Sequence, residues 1–274
     1  MIKIITDSSS NITQEEAKTL GVTVMPMTIS FGTEEFRDGV DIGFDEFYEK
    51  MATSKEFPHT SQLTEEQVEE AVKKVLAESG ENDEIIIMPL AAVLSGSYDR
   101  CKSVADRYDR VYAYETKCTT VMLKLMVWEA LRNADKSAHE VMEILDELRP
   151  KLRLYAVLDT LDNLRKGGRL SKTVAIIGSV LKIKPVITFG QDGKVELISK
   201  QFGINKGISY ICSTVDKNKI DFTKPVYLIY TATDKNSETL ISKLGIEYSE
   251  KSNICPVIGT HNGANAAGIV YAEK

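Results

Sequence analysis

A few short stretches carry the residue types able to hold or process an acid. Asp7 closes an apolar run, Ile2–Thr6, and opens the polar turn Asp7-Ser8-Ser9-Ser10-Asn11. A carboxylate at a strand end suits metal-assisted phosphoryl transfer, but that chemistry commonly wants a second carboxylate two residues on, and Ser9 stands there. The same Asp7 serves equally well as an acceptor for turn amides. Thr60-Ser61-Gln62 offers two hydroxyls and an amide beside Pro58, donors that bind a carboxylate or phosphate without adding charge. Ser95, in Leu94-Ser95-Gly96-Ser97, only loosely resembles a nucleophile elbow, since no glycine precedes Ser95 or Ser97 by two residues. Lys166-Gly167-Gly168-Arg169 puts a guanidinium, the natural bidentate partner of a carboxylate, beside flexible backbone. Gly259-Thr260-His261-Asn262-Gly263 places an imidazole among small residues that let a ligand approach.

These groups need elements to position them. Ile85 to Arg100 runs from an apolar strand through a small-residue turn into a helix, which is where ligands sit in an open α/β sheet and where helix amides favour an anion. Capping boxes Thr13-x-x-Glu16, Thr64-x-x-Gln67 and Ser137-x-x-Glu140 start helices, and Phe44, Phe47, Tyr48 and Met51 repeat with helical spacing. Strands are expected at Ile2–Thr6, Val22–Met27 and Val111–Tyr114, a hairpin at Ile29–Arg37, and a loop at Thr60-Ser61-Gln62. Strand and helix thus alternate in the first half, the mark of a mostly parallel sheet. Around Pro150 the pattern changes. Leu152–Val157, Ile183–Phe189 with Lys194–Gln201, Val226–Thr231, Ile246–Ser249, Val257–His261 and Ala267–Ala272 read as strands, and an apolar helix is expected at Val174–Leu181. The expectation is a two-domain α/β protein: residues 1–152 with a parallel sheet flanked by helices, and residues 153–274 with a mixed sheet.

Composition narrows the function. With 274 residues and 43% hydrophobic content the chain can build a large core. A net charge of −6 argues against a non-specific nucleic-acid binder. No apolar run approaches the ~18 residues of a membrane span, and no secretory leader pattern follows Met1. The four cysteines are far apart and form no CxxC, so neither a disulfide framework nor a structural zinc is expected, and a reducing cytoplasm is the simplest setting. His59 and His139 read as surface residues, and three scattered histidines make no metal template. No Walker, GxGxxG or GxSxG motif is present.

Taken in order, Thr6-Asp7-Ser8-Ser9-Ser10, Asp38-Gly39-Val40-Asp41, Thr60-Ser61-Gln62, Leu94-Ser95-Gly96-Ser97-Tyr98, Lys166-Gly167-Gly168-Arg169, Leu181-Lys182-Ile183-Lys184-Pro185 and Pro256-Val257-Ile258-Gly259-Thr260-His261 resemble the DegV family of fatty-acid-binding proteins over nearly the whole chain. The resemblance implies two α/β domains with a long-chain fatty acid in a buried tunnel between them and no other cofactor. It also implies a carboxylate held by residues at Thr60, Ser61, Ala92, Ser95, Arg169, Thr260 and His261, and, for some members, presentation of the acid to a separate kinase subunit that makes an acyl-phosphate. Three departures stand out. Family members carry serines where this chain has Ala91 and Ala92. The glycine-rich tail pattern reads Gly263-Ala264-Asn265-Ala266-Ala267-Gly268, and the strand-end Asp-Ser pair reads Glu115-Thr116. Two other readings stay open beside this one: a small-anion sensor, and an α/β enzyme of phosphoryl or sugar-acid chemistry using Asp7 and Arg169.

Overall fold

Strands buried on both faces need continuous apolar runs, and the sequence supplies them at Ile2–Asp7 (β1) and Glu84–Met88 (β6), where Ile85 to Met88 are fully buried. In the computed structural model, which describes residues 1–170 and 183–274, these two strands are the centre of a four-stranded parallel sheet. Thr23–Met25 (β2) lies outside β1 and Val111–Ala113 (β7) outside β6, giving the order β2-β1-β6-β7. The chain leaves β1 toward one edge and β6 toward the other, so the carboxyl ends of β1 and β6 form a topological switch point. The helices of this half are α1 (Gln14–Leu20), α2 (Phe44–Thr53), α3 (Glu65–Glu78), α4 (Ser97–Ala105), α5 (Thr120–Arg132) and α6 (Ala138–Leu148). The boxes at Thr13, Thr64 and Ser137 all close as expected, each hydroxyl accepting from the N3 amide and each N3 side chain reaching back.

A second, antiparallel sheet of three short strands, Thr28–Phe31 (β3), Glu34–Arg37 (β4) and His59–Ser61 (β5), has the order β4-β3-β5. The expected hairpin is present, but Thr60 and Ser61 belong to a strand and not to a loop. Thr60 pairs with Ile29 and Ser61 with Thr28. Three residues carry too little periodicity to announce a strand, and the edge offered by β3 decides it.

The second half builds a six-stranded mixed sheet in the order β10-β9-β8-β13-β11-β12, from Leu152–Val157 (β8), Ile183–Phe189 (β9), Val195–Phe202 (β10), Tyr227–Tyr230 (β11), Glu250–Asn253 (β12) and Ala267–Ala272 (β13). Its neighbours are antiparallel except β11 and β12. A cut after Leu152 falls one residue inside β8. The helix expected at Val174–Leu181 lies outside the described residues. Two expected strands are corrected. Ile246–Ser249 is not a strand; the pairing with β11 falls on the polar residues Glu250–Asn253 at the sheet edge, where backbone geometry and not apolar pattern sets the register. Val257–His261 is a helix: Pro256 occupies its first turn, and Pro256–Asn262 (α10) follows the shorter helix Asp162–Lys166 (α7) and the helices Ile204–Thr214 (α8) and Lys235–Leu244 (α9) in chain order. A short apolar run does not by itself distinguish strand from helix.

Side-chain alternation divides the six-stranded sheet between two cores. Ala267, Ile269 and Tyr271 face a cluster with Ile208, Ile211 and Leu240 of α8 and α9. Val270, Ala272, Leu154 and Ala156 face the larger core shared with the first half. Between the two sheets runs α5, whose residues from Thr120 to Val127 are all buried, as expected of a helix apolar on every side. Its buried Lys124 donates to Glu16 of α1 at 2.7 Å and to Glu250 of β12 at 2.8 Å, tying one half to the other.

Candidate functional site

The turns beyond β1 and β6 meet at the switch point. Asp7 is fully buried there: its Oδ1 accepts from the Ser9 amide at 3.0 Å and from the Ser9 hydroxyl, and its Oδ2 accepts from the Leu90 amide at 2.8 Å. Burial pushes its carboxyl above the ordinary aspartate range against those donors. Asp7 therefore locks the two turns together, and it does not line the cavity that opens beside them.

That cavity lies where the switch point, β5, the Arg169 turn and α10 converge. Its polar lining includes Thr60, Gln62, Ser95, Thr119, Arg169 and His261. Its apolar lining includes Met27, Leu90, Leu94, Leu164, Phe189 and Val257, so both halves of the chain contribute. The volume is about 40 Å³, well below the roughly 300–1,000 Å³ of an open ligand pocket, so its walls lie close together. A larger depression of about 550 Å³ lies between α1, α5 and the β11–β12 edge. It is a shallow groove whose central cation, Lys124, is already neutralised by Glu16 and Glu250, so we place the candidate site in the smaller, convergent cavity.

The head of the cavity is a histidine–threonine pair. His261 Nε2 and Thr60 Oγ1 are 3.0 Å apart across the two halves. Among the described residues Nδ1 is buried with no partner. Burial, then the Arg169 charge, then His59, hold the imidazole down at about 4, so it is neutral at pH 7. Neutral imidazole gives one donor and one acceptor, and the Thr60 hydroxyl matches either tautomer. The ring seats against Gly167, where a Cβ would fall 2.1 Å from Nδ1. Arg169 Nε donates to the Leu94 carbonyl at 3.1 Å and Nη1 donates to the Gly167 carbonyl, which fixes the guanidinium at the cavity wall. Ser95 Oγ shares a 2.9 Å hydrogen bond with Ser97 Oγ, which in turn accepts from the Leu63 amide.

The helix that carries His261 is held mainly by the other half of the chain. Asn11 Oδ1 accepts from the Cys255 amide at 2.7 Å, Tyr48 Oη donates to the Ile254 carbonyl at 2.9 Å, and Asp38 Oδ2 accepts from the Val257 amide at 3.2 Å. Burial raises the Asp38 carboxyl to about 7, with the Val257 amide opposing. Gly259 lets α10 lie directly on α2, since a Cβ there would stand 2.4 Å from Tyr48 Oη.

Of the residues expected at the site, Thr60, Ser95, Arg169 and His261 are brought together around the cavity. Three are placed elsewhere. The Ser61 side chain is exposed, on the strand position alternating with Thr60. Ala92 is also exposed, and its amide donates to Glu115 Oε1 at 3.0 Å. Thr260 is buried, but its hydroxyl donates back to the Pro256 carbonyl at 3.0 Å, which the helical state of α10 imposes. Thr119 and Phe189 join the site without having been expected there, and Gln62, whose amide was read as a donor beside Thr60, lines it as well. The available signal for Thr119 was a hydroxyl residue standing at the start of an apolar helix. His59 and His139 are exposed, as expected. Among the described residues no group of three or more His, Cys, Asp or Glu is placed to hold a metal ion.

Comparison with known proteins places the fold. The DegV family model, described as an uncharacterised protein family, matches residues 1–274. A DegV domain-containing protein of Caldanaerobacter subterraneus subsp. tengcongensis is 34% identical, covering 100% of this chain and 99% of that protein. Among solved structures, a fatty acid (stearic acid)-binding protein from Eubacterium ventriosum superposes with a TM-score of 0.87 at 25% identity, over 100% of this chain and 99% of the other. DegV of Bacillus subtilis, described as a fatty acid binding protein, superposes with a TM-score of 0.84 at 25% identity and the same coverage. The match runs from the first residue to the last, and the chain belongs to the DegV family.

Proposed function

We propose that this protein binds a long-chain fatty acid in a tunnel between residues 1–152 and 153–274, and that it works as a binding and presenting protein without catalysis of its own. The observation that carries this reading is the part-buried His261–Thr60 pair, with Arg169, at the head of a slot walled by Met27, Leu90, Leu164, Phe189 and Val257. The fatty-acid binding described for the Eubacterium ventriosum and Bacillus subtilis structures supplies the ligand class. In this reading Thr60 and Arg169 donate to the carboxylate, and His261 orients Thr60. The tail lies along the apolar wall, where about fourteen methylenes at ~0.8 kcal/mol each give a gross gain on the order of 10 kcal/mol, much of it offset by ordering the chain. The acid enters only as the walls part, because about 40 Å³ does not hold it.

The presenting role extends to a kinase subunit that phosphorylates the exposed carboxylate; it is supported by the absence of any phosphate-binding glycine loop in this sequence. We place the protein in the cytoplasm, in keeping with cysteines that are free and, for Cys101, Cys118 and Cys255, buried. No helix among the described residues is long and apolar enough to cross a membrane.

Denaturing extraction of the purified protein, followed by mass spectrometry, is expected to release a long-chain acid. Arg169→Ala is expected to weaken oleate binding about tenfold or more, the scale of one hydrogen bond to a charged group. Recovery of no acyl lipid together with no oleate binding in titration defeats the proposal. One observation favours a second reading, a small-anion sensor: the narrowness of the cavity. Binding of short carboxylates such as acetate with exclusion of oleate would select it.

A further inference from the structure

We infer that the Thr119 hydroxyl, at the N-terminus of α5, is a further ligand-binding donor of this cavity, directed to the carboxylate of the bound acid. The inference rests on the fatty-acid reading above and adds a contact to it. Thr119 occupies the cap position of α5 with extended backbone, φ −150° and ψ 166°, yet its side chain caps nothing. The cap residues Thr13, Thr64 and Ser137 all bond their helices, so an idle hydroxyl is not the habit of this chain.

Thr119 is 2% exposed, and among the described residues its Oγ1 has no hydrogen-bond partner. A buried hydroxyl without a partner is disfavoured, so such a group is expected to find one when a ligand is present. Thr119 lines the cavity that Thr60, Arg169 and His261 line. Thr120 Oγ1 is equally without a partner but does not line the cavity, which separates Thr119 from its neighbour.

The charge at this point suits an anion. The thirteen-residue α5 directs its N-terminal partial charge to the same place, and the Thr119 side chain does not accept from its first amides. The position is fixed by the backbone, since the Ala91 amide donates to the Cys118 carbonyl at 3.0 Å and so holds the start of α5 against the turn after β6. That turn brings no hydroxyl of its own at Ala91 or Ala92. Thr119 thus follows directly the residue whose carbonyl is bonded to Ala91, where the turn lacks a hydroxyl.

The test compares oleate with oleyl alcohol, which keeps the chain and removes the charge, on the full-length protein, its Thr119→Val variant and its Thr119→Ser variant. Thr119→Val is expected to weaken oleate about tenfold while leaving oleyl alcohol unchanged. Thr119→Ser is expected to bind oleate like the wild type. Because the valine removes only an idle buried hydroxyl, the variant is expected to melt no lower than the wild type. Unchanged oleate affinity in Thr119→Val overturns the inference, and so does an equal loss for both probes, which marks a packing role. Wild-type protein that binds neither probe defeats the fatty-acid reading and this contact with it, whereas wild-type binding with an indifferent Thr119 defeats this contact alone.

Discussion

At the scale of single residues the site and its support include His261 and Asp38, whose charged forms burial opposes. His261 is held at about 4 in the folded protein, below its ordinary value of about 6.5, so the unfolded chain takes up the proton first. Its contribution to stability is complete above about pH 6.5 and is lost as pH falls toward about 4. Asp38 has the opposite sign. Its folded value of about 7 lies above the usual 3.8, so its contribution is complete at low pH and is lost as pH rises through about 7. Cys255 and Tyr48, which pack around Asp38, stay protonated throughout, since burial raises both well above their ordinary values. Wild-type stability is therefore expected to change little between about pH 4.5 and pH 6.5, where the two groups oppose each other. Denaturant titrations of His261→Gln are expected to leave the Asp38 trend alone, with stability falling as pH rises. Asp38→Asn is expected to move the profile toward the histidine trend, with stability rising more than in the wild type, Asp7 remaining as the opposing buried carboxyl. Identical pH profiles for the wild type and both variants would refute this assignment.

At the scale of elements α10 shows what local sequence leaves open. Its seven residues are nearly all apolar or small and read as a strand, but the backbone before and within it is bonded by Asn11, Tyr48 and Asp38 from the other half of the chain. Those partners are more than 200 residues away, so no local pattern announces them. The three capping boxes, by contrast, lie wholly within four-residue windows and are legible in the sequence. Two glycines set how α10 docks. Gly259→Ala puts a Cβ 2.4 Å from Tyr48 Oη and 3.1 Å from the Phe47 ring, and is expected to cost ~1–3 kcal/mol in thermal or denaturant unfolding. Gly167→Ala puts its Cβ 2.1 Å from His261 Nδ1, beside a cavity, and is expected to spoil oleate binding more than stability. A Gly167→Ala variant that binds oleate normally would show that the His261 ring position does not matter to the ligand.

At the scale of the whole molecule α5 joins the first half to the second, and its buried Lys124 carries a charged link that reaches both halves. It touches Glu16 and Glu250, each about one-third exposed, so removing it leaves two carboxylates close together but partly hydrated. Lys124→Met is expected to cost ~1–2 kcal/mol, less than a fully buried pair would, and to weaken oleate binding only indirectly. Equal stability of Lys124→Met and wild type in urea would show that apolar packing on α5 alone holds the halves in register.

The sequence alone determined the α/β class, with a parallel and a mixed sheet, and the capped helix starts, because each depends on residue type and near-neighbour spacing; it also offered Thr60, Ser95, Arg169 and His261, which the fold brings together around one cavity. Tertiary structure decided that Ser61 and Ala92 face outward, that Thr260 turns into its own helix, and that α10 is helical. It also left the Thr119 hydroxyl, among the described residues, unpartnered beside the cavity. The physical reason is common to all of these. Whether a polar group is satisfied, and which face of a short segment is buried, is settled by partners far away in the chain, and these become neighbours only when β1 and β6 bring their turns together against α10.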